Sequence, residues 1–202
     1  HRRDIFSLVT RKPCVSVGTI ARELGLSGNT VKWHIDSLEK SGYVAKYMDG
    51  NRTIFFPDGL VSHSHAGLFS SVNNPRHGGV YKIVLRTPGR SQSDIAAETG
   101  ESRQTVARIL EKLEAERLLS AVIDGVHSRY YPTKLMSESA EGFYRQSKDY
   151  SEYMLRRLEQ EGGKPPSIIK RGLDIMLVEM GYASDRFAME IGINPFMTCS
   201  VC

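Results

Sequence analysis

Ile20-Ala21-x-Glu23-x-Gly25-x-Ser27-x-x-Thr30-Val31 returns, 75 positions on and without a gap, as Ile95-Ala96-x-Glu98-x-Gly100-x-Ser102-x-x-Thr105-Val106. The same shift carries Pro13 onto Pro88, Leu38-Glu39 onto Leu113-Glu114, Asp49-Gly50 onto Asp124-Gly125 and Phe55-Phe56-Pro57 onto Tyr130-Tyr131-Pro132. A repeat of this length and register means that one small structural unit is built twice, which sets the domain plan before any element is assigned.

In the first copy Ser16 can cap a short helix whose apolar residues Val17, Ile20, Ala21 and Leu24 recur at helical spacing, and Gly25 stops it. After the turn Ser27 caps a second helix. Val31, Ile35 and Leu38 share one of its faces, while Asn29, Lys32, Trp33 and Asp36 lie elsewhere on its surface. The second copy repeats this with Ser91, Gly100 and Ser102, and its second helix has Val106, Ile109, Leu110 and Leu113 as the apolar face. Behind each helix pair the period becomes alternating, around Asp49-Gly50 and Asp124-Gly125. Asp-Gly between two β-prone runs predicts a hairpin, since Gly supplies the positive φ of a tight turn. In front of each pair an apolar-periodic stretch, Ile5 to Val9 and Val80 to Leu85, is closed by a proline, Pro13 or Pro88, that a helix interior does not tolerate.

Charge divides the chain of 202 residues in the same way. Residues 1–58 hold 9 Lys/Arg against 6 Asp/Glu, residues 76–134 hold 10 against 7, and residues 135–202 hold 8 against 10. The repeats are the basic part, as a phosphate-binding surface requires, and the tail is mildly acidic. Residues 59–75 contain no Asp, Glu, Lys or Arg and are rich in Ser, Gly and Asn, the composition of a linker. No apolar run approaches the ~20 residues of a membrane helix, no signal peptide is visible behind His1, and three cysteines give no disulfide framework; a cytoplasmic location is the default expectation.

Helix, helix-turn-helix and hairpin in that order resemble the winged helix-turn-helix domain of prokaryotic transcription regulators, most closely the ArsR/MarR-like group. The likeness is carried by the continuous string from Ile20 to Val44 with the Asp49-Gly50 wing behind it. In the second copy Arg117-Leu118-Leu119 stands where the family usually has Gly-Leu-Val, so a Gly is lost at that helix C-terminus. The resemblance implies a mainly α chain with small β-hairpin wings, an α+β arrangement. Its expected parts are a first winged helix-turn-helix domain over 1–58, a linker over 59–76, a second domain over 77–134 and a C-terminal helical segment over 135–202 for dimerisation or effector binding.

What such domains do implies the site. The N-terminal part of each second helix is expected in the major groove of double-stranded DNA. In the first copy that face presents Ser27, Asn29, Thr30, Lys32 and Trp33, with His34 beside them; in the second it presents Ser102, Arg103, Gln104, Thr105 and Arg108. Arg can bond guanine bidentately and Gln adenine, so the second copy carries the more informative chemistry, whereas Lys32 and Trp33 suit phosphate and sugar. Arg52 and Arg129 on the wings, with Asn51 and His127 near the tips, suit a flanking minor groove. Blander roles stand beside these: Ser27 and Ser102 cap helices with or without DNA, Trp33 can cover the edge of the core, and Phe55-Phe56 and Tyr130-Tyr131 read as sheet and core residues.

In the tail Met136, Ala140, Phe143, Ser147, Tyr150, Met154 and Leu158 form a heptad-like seam that must be buried either on the second winged domain or on a second copy; the second copy is the expectation, which makes the protein a homodimer through residues 136–160. A further helix is predicted over Ile168 to Met180, stopped by Gly181. Cys199 and Cys202 form a Cys-x-x-Cys pair that can hold a metal or sense redox state, although a metal site needs further ligands and a terminus without function or a truncated site is the favoured reading. The segment is similar to a cysteine-containing effector region of some DeoR/ArsR-type regulators. His63-x-His65 reads as solvated. No cofactor is required, and without a phosphate loop, nucleophile motif or metalloprotease signature the chain is expected not to be an enzyme. The alternatives to a transcription regulator are a replication-initiator-type DNA-binding protein and a winged-helix scaffold of chromosome organisation. A scaffold would carry acidic or apolar residues where Arg103, Gln104 and Arg108 stand.

Overall fold

The computed structural model describes residues 1–161, 165–182 and 185–196. The first unit contains α1 (Arg2–Arg11), β1 (Val15–Ser16), α2 (Val17–Leu24), α3 (Gly28–Lys40), β2 (Val44–Asp49) and β3 (Arg52–Pro57). A helix α4 (His63–Asn73) follows, and then α5 (Pro75–Arg86), β4 (Arg90–Ser91), α6 (Gln92–Thr99), α7 (Arg103–Ala115), β5 (Leu119–Asp124) and β6 (His127–Pro132). Moved by 75 positions, every element from β1 to β3 coincides end for end with β4 to β6. Each unit carries a three-stranded antiparallel sheet, ordered β1-β3-β2 or β4-β6-β5.

The chemistry that sets these ends is local. Ser27 and Ser102 accept the backbone N–H of Thr30 and Thr105, each at 3.1 Å, and open α3 and α7. Ser91 and Asp94 form a reciprocal capping box at the start of α6. Gly25 and Gly100 close α2 and α6 at φ 64° and 69° in the left-handed region. The hairpins turn through Gly50 and Gly125, at φ 60° and 61°. Ile20, Val31, Ile35 and Leu38 in one unit, and Ile95, Val106, Ile109, Leu110 and Leu113 in the other, fill the cores as the periodicity predicts. Arg117 keeps the missing glycine's conformation at φ 59°, and α7 ends where α3 does.

The segment read as a linker is different. Residues 63–73 form α4, whose Ala66, Leu68, Phe69 and Val72 are buried. Its small residues permit close packing: a Cβ on Gly67 would overlap the carboxylate of Glu116, the residue that follows α7. A composition rich in Ser and Gly thus marks a helix between two tightly apposed units.

The tail departs further from expectation. Residues 135–161 form one long helix, α8 (Leu135–Glu161), and then β7 (Ser167–Arg171), β8 (Ile175–Tyr182) and β9 (Asp185–Gly192) make an antiparallel sheet in that order. The predicted helix over Ile168 to Met180 is therefore two strands, so the C-terminal segment is not purely helical. Met176 and Val178 are buried, and their apolar neighbours fit a period of two as well as a helical one; the β-branched residues and Gly172 decide for strands. Gly181, expected to stop a helix, lies in β8.

Phe143, Tyr150, Met154 and Leu158 of the heptad-like seam are buried within the chain itself. Phe143 packs edge-on against Phe69 of α4 with ring centroids 5.6 Å apart, and Phe196 joins them. Further along, Gln146 donates to the Gly59 carbonyl at 3.2 Å. Arg157 donates to the carbonyls of Ser41 and Gly42, and its guanidinium lies over the Tyr43 ring. α8 thus leaves the second unit and clamps the first. The sheet follows it: the Gly192 N–H donates to Thr10 Oγ1 at 2.9 Å, and Arg3 covers the Phe187 ring at 3.8 Å.

Candidate nucleic-acid interface

The two second helices present their expected residues to solvent. Asn29, Lys32, Arg103, Gln104 and Arg108 are exposed. Trp33 is 69% exposed and stands edge-on to His34 at 4.7 Å, so it does not cover the core. Ser27 and Ser102 act as caps, and their hydroxyls also bond those of Thr30 and Thr105, at 2.8 and 2.9 Å. Those four residues are ordered before any ligand arrives, and the variable side chains stand around them.

The wings behave unlike each other. Arg52 on the first is exposed and has no ion pair among the described residues. Arg129 on the second donates to Asp124 at 3.0 Å and to the Gly89 carbonyl at 3.3 Å, so its charge is tied to its own hairpin. The free tip beyond it is apolar, with Ile123 82% and Val126 94% exposed. Phe55, Phe56 and Tyr130 are core residues, whereas Tyr131 is partly exposed.

The first wing is also the joint between the units. Asp49 at the end of β2 accepts Lys112 Nζ of α7 at 2.8 Å and the Ser70 hydroxyl of α4 at 2.5 Å, and Lys112 also donates to Glu116 at 2.9 Å. Burial opposes both charges, but the hydrogen bonds and mutual attraction prevail: the Asp49 carboxyl lies below its ordinary value and the Lys112 ammonium is pushed up to about 12. Asn73 of α4 donates to the Pro13 carbonyl at 2.8 Å and pins the other side. His77, at the start of α5, is driven below its usual pKa by burial; Asp49 opposes that shift, and Lys112 and Arg52 reinforce it.

Between the units lies a cleft of about 1230 Å3, lined by the start of α2, the first wing, α4, α5 and the outer stripe Thr105, Arg108 and Lys112 of α7. The second reading helix therefore looks partly across at the first wing. Arg22 of α2 lines the same cleft, and sequence reasoning missed it. The repeat itself held the signal, since its counterpart is Ala97 and the charge belongs to one copy alone.

Cys199 and Cys202 lie outside the described residues. Within the described residues no group of three or more His, Cys, Asp or Glu is placed to hold a metal ion, and no helix is long and apolar enough to cross a membrane. His65 bonds the Ser62 hydroxyl at 2.8 Å, and His63 stands edge-on to Phe56.

Comparison with known proteins returns to the repeat. Residues 1–45 match a helix-turn-helix domain family, and residues 74–119 match a winged helix-turn-helix DNA-binding family. An uncharacterized HTH-type transcriptional regulator, MJ1398 of Methanocaldococcus jannaschii, is 24% identical over 130 residues, which cover 64% of this chain and 32% of that protein. The chain thus spans about a third of the length of this relative. A crystal structure of the DIP2311 protein from Corynebacterium diphtheriae aligns with 64% of this chain and 25% of its own at 17% identity, with a TM-score of 0.26. The matched stretches fall on the helices of the two folded units and end where β2 and β5 begin, and the hairpin that follows each gives the chain two winged helix-turn-helix units in tandem.

Proposed function

We propose that the chain is a sequence-specific transcription regulator of double-stranded DNA, with the N-terminal halves of α3 and α7 as its reading surfaces. The observation that carries this is the contrast between a scaffold kept end for end in two copies and the exposed residues that differ on it. Asn29, Lys32 and Trp33 stand on one reading helix, and Arg103, Gln104 and Arg108 on the other. Both sets include hydrogen-bonding groups that face solvent, as contacts to base edges and phosphates require. The DNA-binding family matched by the second unit and the regulator related to the chain support the same reading.

Arg103 and Gln104 are the candidates for base edges, Lys32 and Trp33 for phosphate and sugar, and Arg52 for a flanking groove. Arg129 has a lesser part because its guanidinium is held by Asp124. Since α8 is used within the chain, the reading relies on two unlike contacts per chain and not on a symmetric pair of chains. Fluorescence anisotropy of the full chain against duplex DNA over a salt series tests it. Binding that weakens steeply as salt rises supports electrostatic engagement of the phosphates, and a flat dependence refutes it.

A further inference from the structure

We infer that the cleft between the two units is a phosphate-binding site assembled from both of them, with Arg22 and Arg52 supplied by the first and Arg108 by the second. The inference starts from an accounting of its charges. Of the cations that line the cleft, Lys12 is bonded to Glu23 at 2.6 Å, Arg76 to Glu101 at 3.2 Å, and Lys112 to Asp49 and Glu116. These bonds also occupy both carboxylates that line it, Glu23 and Asp49. Arg22, Arg52 and Arg108 remain exposed, with no ion pair or hydrogen bond among the described residues. All three guanidiniums line one concavity, and their forked donors match phosphate oxygens. His77 lies on the same lining.

The Asp49–Lys112 bond and α4 hold the two walls in place, so the site is formed before the ligand binds. The phosphate comes either from a DNA backbone laid across the mouth of the cleft or from a free phosphorylated small molecule. In the first case the wing of one unit and the reading helix of the other grip one duplex; this choice of source rests on the DNA reading, while the anion site itself does not.

Pyrophosphate titrated into the full chain at low salt, followed by calorimetry, is the test. One anion binds per chain, and Arg52→Gln or Arg108→Gln alone weakens it about tenfold or more, the effect of losing a charge-assisted hydrogen bond. Thermal melts of both variants check that these exposed replacements leave the fold intact. Pyrophosphate that displaces a short duplex of mixed sequence assigns the site to the DNA backbone, and pyrophosphate that binds without displacing it assigns the site to a free molecule. No saturable binding, or binding that ignores either arginine, overturns the inference. If the duplex still binds and is lost with Arg103→Ala while pyrophosphate does not bind, the DNA reading stands and the composite site falls. If pyrophosphate binds through both arginines and no duplex does, the site stands and the DNA reading falls.

Discussion

Replacing Arg117 with glycine should stabilise the protein, although it deletes a side chain. Arg117 sits at φ 59°, and the equivalent position of the first unit is Gly42 at φ 66°. A left-handed backbone costs an L-residue about 1–2 kcal/mol through the clash of its Cβ, whereas glycine escapes that clash. Against this, glycine releases about 0.5–1 kcal/mol more backbone entropy on unfolding. Little else changes: the arginine side chain is exposed, and the bonds at the site are backbone bonds to Glu114 and from the Thr133 hydroxyl. The net expectation is a gain of about 0.5–1 kcal/mol, or a rise in Tm of roughly 1–4 °C for a chain of this size. Urea denaturation followed by circular dichroism measures it. Gly100→Ala gives the reverse case, since its φ is 69° and no atom lies within 4 Å of the added Cβ; strain alone should cost about 1 kcal/mol. A destabilised Arg117→Gly protein together with a neutral Gly100→Ala one would refute the reasoning.

Breaking the joint with Lys112→Met leaves Asp49 without its cation and should cost about 1–3 kcal/mol, with much of that recovered in the double variant that also carries Asp49→Asn, as read by a double-mutant cycle. Acid should act through His77, which burial holds below its ordinary 6.5: the unfolded chain takes the proton first, so stability falls as pH drops below about 6.5. His77→Gln should flatten that part of a Tm-against-pH curve. Asp49 contributes a later loss, because its lowered pKa gives stability that is present above 3.8 and disappears as the pH falls through the folded value. On DNA, Arg103→Ala should cost roughly 1–3 kcal/mol at one base position. Lys32→Ala should weaken all sequences alike and lower the salt slope by about 0.9, and anisotropy on matched and mismatched duplexes separates the two effects.

The repeat was legible because its determinants are local. A serine cap, a left-handed glycine, an apolar face and an Asp-Gly turn each act within a few residues, and reading them twice in one register removed most ambiguity. The helix α4 was not legible, since small polar residues indicate a loop unless one knows that the Glu116 side chain packs against Gly67. The strands β7 and β8 were missed because Met176, Leu177 and Met180 suit either period, and what selects strands is the pairing of β8 with β7 and β9, which the apolar pattern does not announce. Arg129 looks like a free wing cation in the sequence because Asp124, five residues before it on the same hairpin, reads only as part of the turn, and the Gly89 carbonyl is distant in sequence. The seam of α8 was identified correctly as a stripe that must be buried, but a periodic stripe does not say against what.

Selection of bound duplexes from a random pool by the full chain tests the central claim most directly. Two reading helices with unlike residues on one chain predict an enriched bipartite site whose halves differ in sequence, with Arg103→Ala relaxing a single position in one half. Enrichment of nothing, or of a symmetric palindrome insensitive to Arg103→Ala, would contradict it.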